Sequence, residues 1–281
     1  LDSCSFDHFI LDYHDSKLLT FKSQSKTVHV INVDVPPDSD ARYATQSLHD
    51  QSSFILFSDE VIAKKQLIAK KLNHYDQRGS VVPSIHARKC EIRQCSKQEK
   101  KTLLDANHVQ GNDNAPYAYG AFYGGKLVAV MTFSKPRVAL GQKGNKCRDG
   151  HWELSRFCTD VNYRIPGIAS KLLTHFKRAH NWTEIYSYAD KRWSVGNMYH
   201  QLGFDLVADN PPDYFYVIKG IRKHRWNYRK DIIKNTLVNY DPALTEYQNM
   251  ENHGFWRVWD CGTLKFSITN PNPNSVYVSP E

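Results

Sequence analysis

One stretch, residues 152–204, constrains the fold of this chain more than any other. WELSRFCT (152–159) reads as an apolar strand. It leads to Arg164-Ile-Pro-Gly-Ile-Ala169, a turn that opens a helix at Ile168. A glycine at that point lets backbone N–H groups approach an anion, and the free amides and positive dipole end of the helix can then hold it. A second strand, Glu184 to Tyr188, precedes a short helix that carries Tyr199 and is capped by Gly203. Strand, anion-holding turn, helix, strand and tyrosine-bearing helix together imply a pyrophosphate-containing cofactor with a proton donor beside it.

Three regions surround this unit. Residues 1–84 alternate short apolar runs (FDHFIL, TVHVINV, SSFILF) with polar turns and end in a basic helical stretch, Asp59 to Asn73. They read as a small α/β element with a boundary near Gly79 to Pro83. Residues 85–218 begin with the strand-like HARKCEIRQC and a helix, Lys97 to Ala106, that ends at Asn107-His108. Two β runs around Gly124-Gly125 then read as a hairpin. A final strand near Tyr214 to Val217 follows the unit described above. Residues 219–281 form a basic and aromatic extension with a Pro/Asn-rich tail. The fold class expected is α/β of the α+β kind: a mixed central sheet flanked by helices.

Composition narrows the setting. The 281 residues include 41% hydrophobic and 12% aromatic side chains, enough to build a core. No apolar run of about 18 residues occurs, so no membrane partner is expected. Six cysteines (Cys4, Cys90, Cys95, Cys147, Cys158, Cys261) are irregularly spaced, with no C-x-x-C pair, and the thirteen histidines show no metal-ligand spacing. They read as reduced thiols in a cytoplasmic protein with no metal site. No secretory signal is visible, and the first residue is Leu rather than Met, as in a processed or truncated chain. A formal charge of +8 favours a polyanionic partner.

The hairpin, the Arg-x-x-Gly-x-Ala turn and the Tyr-x-x-x-Gly-Phe helix end resemble the GNAT acyltransferase superfamily over roughly 130 residues. The resemblance implies acetyl-CoA or another acyl-CoA as cofactor. Its pyrophosphate would lie at Arg164, Gly167, Ile168, Ala169 and Ser170, and its pantetheine arm along Phe157, Cys158 and Thr159. Tyr199 matches the family tyrosine that protonates the departing thiolate. Where family members commonly carry Asn seven residues before that tyrosine, this chain has Arg192, a candidate contact to a phosphate of cofactor or substrate.

The segments ANHVQG, WELSRF and YAD…MY are similar to the Mom-type DNA-modification branch of that superfamily. That similarity implies His108, Arg156, Asp190 and Tyr199 around a reaction centre that takes an extruded adenine. An exocyclic amine is a poor nucleophile, so His108 or Asp190 would serve as base, Arg156 would stabilise oxyanion charge and Tyr199 would act as acid. Each of the four also has a structural reading. His108 suits a helix C-terminus, Asp190 a helix N-cap, Tyr199 an aromatic core position, and Arg156 an inward-facing ion pair on a strand.

The whole layout also resembles phage proteins of the homing-endonuclease-like type, in which a Vsr-like nuclease domain precedes such a core. FILFSDEVIAKKQLIAKKLNH is similar to the last strand and helix of that domain. A nuclease needs clustered carboxylates and a lysine to hold Mg²⁺. Asp7, Asp12, Asp15 and Asp34 are the candidates, but no E-x-K strand pair is present and Lys22 lacks a glutamate partner, so the domain reads as degenerate. The run from Lys219 to Lys234 interleaves Arg222, Lys223, Arg225, Arg229 and Lys230 with Trp226 and Tyr228. Cations alternating with rings suit a DNA contact, although a charge run also suits a solvated face. Two functions are therefore expected as alternatives: acyl transfer to a nucleic-acid base, or a DNA-binding module of the same shape without transferase activity.

Overall fold

The computed structural model describes residues 9–37, 44–50, 52–75, 82–136 and 149–272. The chain divides into two compact units, each assembled from three segments: residues 1–65, 190–195 and 210–263 in the first, and 66–189, 196–209 and 264–281 in the second.

The first unit opens with strands β1 (Ile10–His14) and β2 (Leu18–Lys22), paired antiparallel. Asp15 shapes the turn between them by accepting the Lys17 and Leu18 amides at 2.6 and 2.7 Å. β3 (Thr27–Ile31) continues antiparallel, and the chain then crosses through helix α1 (Ala44–Ser47) to β4 (Ser53–Phe57), which lies parallel to β3. β4 buries all five of its side chains, as expected of a strand covered on both faces. Helix α2 (Ser58–Tyr75) follows, with Asp59 and Glu60 in its first turn, where they complement the helix dipole. Lys64 departs from helical geometry (φ −136°, ψ 32°) next to the boundary between the units.

The second unit begins with β5 (Glu91–Gln94), shorter than the run HARKCEIRQC suggests, because Ala87–Lys89 form a 3-10 turn. Helix α3 (Lys97–Asn107) starts at a capping box of Ser96 and Glu99. Strands β6 (Tyr117–Tyr123) and β7 (Lys126–Ser134) form the expected hairpin, with φ +57° and +79° at Gly124 and Gly125, the positive values that a two-residue turn of this kind requires. β8 (His151–Thr159), helix α4 (Ile168–Ala179), β9 (Glu184–Asp190), helix α5 (Asn197–Gln201) and β10 (Asp205–Asn210) follow in that order.

One strand assignment needs correction. Tyr214–Val217, expected to end the central sheet, lies in β11 (Tyr214–Ile218) of a separate sheet in the first unit. Its partners are β12 (Ile221–His224) and β13 (Trp256–Trp259), and helices α6 (Lys230–Ile233) and α7 (Glu246–Glu251) lie between those two in sequence. The strand that completes the central sheet is β14 (Thr263–Thr269), from the stretch read as an extension. A run such as YFYVI identifies a strand by composition but carries no information about which strand it will pair with. The central sheet has the order β10-β14-β9-β8-β7-β6-β5, so the last strand slots between β9 and β10. The expected mixed sheet flanked by helices is therefore present.

Helix α4 buries Ile168, Leu172, Leu173 and Phe176, a single stripe at helical spacing, against this sheet. Phe176 stacks on Phe133 with ring centroids 3.5 Å apart, and Trp152, Ile185, Phe204 and Phe266 complete the core. Each of the fully buried rings contributes about 1.5–3 kcal/mol by leaving water.

Candidate functional site

β8 and β9 run parallel but pair only at His151–Glu184, Trp152–Ile185 and Glu153–Tyr186; beyond those positions β8 continues to Thr159 and β9 to Asp190 without registered pairing. The cause is local. Thr132 of β7 faces Arg156 and Phe133 faces Leu154, so Ser155 is an extra residue, a β-bulge that bends β8 where the pairing with β9 ends. Ser187 spans the opening by donating to the Leu154 carbonyl at 2.7 Å, and its oxygen lies 2.8 Å from the Tyr199 hydroxyl. A serine has one proton, and Leu154 takes it, so the Tyr199 hydroxyl donates to Ser187.

Past the opening, Phe157–Thr159 are paired to β7 on one side. Phe157 packs on the α4 side of the sheet, whereas Cys158 is buried on the side that includes Leu103 and Leu104 of α3. Burial pushes the Cys158 thiol up to about 11, which keeps it protonated and unreactive.

The chain then reaches the turn before α4. Gly167 is the N-cap, in the left-handed region at φ +80°, where a glycine is the residue that fits without strain. The backbone of Arg164 is fixed by Ile85, whose amide donates to the Arg164 carbonyl at 2.8 Å, and by the Pro83 carbonyl, which accepts the Arg164 amide at 3.0 Å. The Arg164 side chain, Gly167 and Ser170 are exposed. The Ile168 amide bonds back to the Ile165 carbonyl at 3.2 Å, and helix geometry leaves the Ala169 and Ser170 amides without intrahelical acceptors, so the turn presents donors and a positive dipole end at the surface. Lys171 steadies it from behind by donating to the carbonyls of Ala87 and Cys90 at 3.1 and 2.7 Å.

Of the four candidate catalytic residues, the structure brings Arg156 and Tyr199 within electrostatic reach of each other. Burial raises the Tyr199 pKa, and the Ser187 hydrogen bond and the Arg156 charge oppose that shift without cancelling it. The phenol is therefore protonated across the neutral range. His108 ends α3: its amide donates to Leu104 at 2.8 Å and its Nδ1 accepts from the Gln110 amide at 3.1 Å. Asp190 belongs to the first unit, and its carboxylate holds the Arg192 guanidinium at 2.8 Å. It does not cap α5, whose N-cap is Gly196.

Arg192, expected at a phosphate, is 7% exposed and also pairs with Glu60 at 2.8 Å. Arg222, expected at DNA, is paired as well, with Asp59 at 2.8 Å and Glu60 at 2.9 Å. Burial works to raise the Glu60 pKa, but the two guanidiniums overcome it and hold the carboxyl below its usual range. These five side chains form one ion network inside the first unit.

Lys230 donates to the carbonyls of Pro242 and Leu244, and Tyr228 packs toward Tyr216, whereas Lys223, Trp226 and Arg229 are exposed and Arg225 is partly so. Among the nuclease candidates, Asp12 pairs with Lys22 at 2.9 Å, Asp15 shapes its turn, and Asp7 lies outside the described residues. Among the described residues no cluster of His, Cys, Asp and Glu could hold a metal ion, and no helix is long and apolar enough to cross a membrane.

Sequence reasoning missed Ser187 and a buried acid, Asp113. The Asp113 carboxylate accepts from Thr132 Oγ1 at 2.6 Å, from Lys100 Nζ at 3.0 Å and from the bulged Ser155. Burial favours its protonation, but these donors together keep it ionised, so α3, β7 and β8 are pinned around the bulge through the loop that carries Asp113. Nothing in the local sequence marks either residue, because their partners are distant along the chain.

No protein-family model matches the chain, and no curated protein is significantly similar to it. Solved structures do match. A Bacillus subtilis acetyltransferase in complex with CoA is 13% identical, covering 65% of this chain and 99% of its own with a TM-score of 0.36. A GNAT family acetyltransferase from Elizabethkingia anophelis with acetyl-CoA bound is 12% identical, with the same coverages and a TM-score of 0.35. Arabidopsis thaliana Naa50, in complex with the bisubstrate analogue CoA-Ac-MVNAL, is 14% identical with a TM-score of 0.37, again over 65% and 99%.

Proposed function

We propose that the protein transfers an acyl group from an acyl-CoA, acetyl-CoA in the first instance, to a nucleic-acid base, with adenine in DNA as the acceptor. The observation that carries this reading is the divergence of β8 from β9 with the exposed N-terminus of α4 beyond it. A strand paired on one side suits an amide-rich arm, and a glycine-capped helix N-terminus suits a pyrophosphate. The residues present therefore fit acyl-CoA, which when bound supplies a thioester.

The chain's own groups have these roles. The Ala169 and Ser170 amides at the start of α4 and the Arg164 side chain bind phosphate, and Phe157–Thr159 orient the arm. Tyr199 holds a proton at Oη, directed by Ser187 to the mouth of the divergence. The Arg156 charge acts on that hydroxyl, where negative charge develops during acyl transfer. His108 is the candidate base for the acceptor amine. The likeness to the Mom-type branch supports the base as acceptor, and the likeness of the whole layout to homing-endonuclease-like phage proteins supports a phage origin. The second reading, a nucleic-acid-binding module without transferase activity, draws on Asp190, whose engagement with Arg192 gives it a structural role in place of a catalytic one.

A thermal shift with acetyl-CoA, CoA and buffer, repeated on Gly167→Asp, tests the proposal. Ligand at 100 times Kd stabilises by about 2.7 kcal/mol. A rise in Tm that the Gly167 variant abolishes supports a working cofactor site. No rise at millimolar cofactor in the native chain overturns it in favour of the second reading.

A further inference from the structure

Arginines and aromatic rings alternate through the first unit in a continuous ladder. The Arg229 guanidinium lies 4.9 Å from the Trp226 ring centroid, and Arg225 lies 5.4 Å from Trp226 and 5.3 Å from Tyr214. Arg257 takes the next place, 5.1 Å from Tyr214 and 5.5 Å from Trp259. Tyr214 and Trp259 also meet directly, with centroids 4.9 Å apart. The outer end is Trp226, 40% exposed, a large ring that no folding argument requires at the surface.

The backbone is built to hold that ring outward. Arg225–Tyr228 form a 3-10 turn after β12, and His224 Nδ1 caps it by accepting the Trp226 amide at 3.3 Å. Tyr228, two residues on, turns inward to Tyr216, with centroids 5.7 Å apart, and anchors the turn. One ring of the turn is thus packed inward and half-buried, and the other is displayed between two guanidiniums.

The charges on this face decide which partner it suits. Arg225 is paired with Asp213 at 2.7 Å and Arg229 with Asp231 at 3.5 Å, so much of its positive charge is locally balanced. Among the described residues Lys223, Arg257 and Lys230 make no ion pair, and the Lys230 ammonium is already spent on the Pro242 and Leu244 carbonyls. A duplex shows its phosphates and hides the faces of its bases, and it gains little from a face with about two uncompensated cations. A single strand offers ring faces that can stack on Trp226 and continue the ladder outward.

Resting on the reading of nucleic acid as the partner, we propose that this ladder is a stacking platform for single-stranded nucleic acid, with Trp226 taking an unpaired base and the two uncompensated cations, Lys223 and Arg257, steadying the flanking phosphates. A single strand holds bases that are already unstacked, the state that acyl transfer to an exocyclic amine requires.

The experiment is fluorescence anisotropy of labelled 12-mers, oligo(dT), oligo(dA), oligo(rU) and a mixed-sequence duplex, with the full chain and with Trp226→Ala. Acetyl-CoA thermal shifts are measured on both proteins in parallel. Single strands are expected to bind at least tenfold tighter than the duplex, with a slope of log K against log salt no steeper than about −1.4, the value for two phosphates. Trp226→Ala is expected to weaken single-strand binding roughly tenfold or more and to leave the cofactor-induced shift unchanged. The DNA and RNA arms identify which polymer is preferred. Equal or tighter duplex binding, or an unaltered affinity in Trp226→Ala, overturns the platform. Loss of every nucleic-acid signal with the acetyl-CoA shift intact overturns it while leaving the cofactor site standing. Tight single-strand binding with no cofactor shift supports the platform and removes the transferase reading instead.

Discussion

Tyr199 donates its hydroxyl proton to Ser187, and Ser187 passes its own to the Leu154 carbonyl at the point where β8 and β9 separate. A side chain thus takes the place of the next rung of the parallel ladder, and the phenol is fixed at the opening. If the phenol serves as the acid, Tyr199→Phe lowers acyl transfer by roughly 10²–10⁴-fold. The acetyl-CoA-induced rise in Tm stays as in the native chain, because the turn at Gly167 is untouched. Single-turnover rates beside thermal shifts read the two effects separately, and an unchanged rate removes Tyr199 from the chemistry.

Gly196 supports the same tyrosine from below. Its φ is +87°, and a Cβ there would overlap the Phe266 ring, on which Tyr199 stacks at 4.9 Å and 17°. Gly196→Ala is expected to cost about 1–3 kcal/mol in backbone strain and about 1–3 kcal/mol in overpacking. Denaturant midpoints measure the sum, and a change below about 0.5 kcal/mol, the range of ordinary surface substitutions, would show that the ring has room to move.

Glu60 makes the first unit acid-sensitive. Its pKa is held low in the fold by Arg192 and Arg222 against the opposing effect of burial. A depressed carboxyl contributes its full stability above its unfolded value, near 4.5, and loses it as pH falls through the folded value. Stability is therefore expected to decline on acidification below about pH 5. In Glu60→Gln that dependence should flatten, with a loss of about 3–5 kcal/mol at neutral pH, because two buried guanidiniums lose a shared partner. Urea unfolding between pH 3 and 7 on both proteins checks slope and offset together.

Asp113 is expected to hold the bulge. Lys100 and Asp113 have side chains 6% and 7% exposed, so Asp113→Ala leaves a buried ammonium without its counter-charge, at about 3–5 kcal/mol. The double variant Lys100→Met/Asp113→Ala should recover part of that loss. If stability returns while acyl transfer does not, Asp113 acts on the reaction by positioning Ser155.

What could be read from the sequence was what the chain specifies over a few neighbouring residues. Gly124-Gly125 defines a hairpin and Gly167 defines a helix N-terminus, each through its own backbone preference. The relations that escaped are long in sequence. Ser187 is 33 residues from Leu154, Asp113 is 19 from Thr132, and Glu60 is 132 from Arg192. Arg192 and Arg222 looked like phosphate ligands because an arginine's partner is not visible until the fold brings one. Trp226 and Arg229 were legible as a surface because a displayed ring beside a guanidinium is a local arrangement.

The strand order also sets a timetable for synthesis. β10 and β9 leave the ribosome well before β14, the strand that belongs between them. Until residue 269 emerges, a nascent chain carries a slot flanked by two unsatisfied edges, the kind of surface that recruits other nascent chains or chaperones. The segment that delays its closure is the one that carries the ladder. The length of that detour, more than the stability of the finished sheet, sets how long each new molecule is at risk of mispairing.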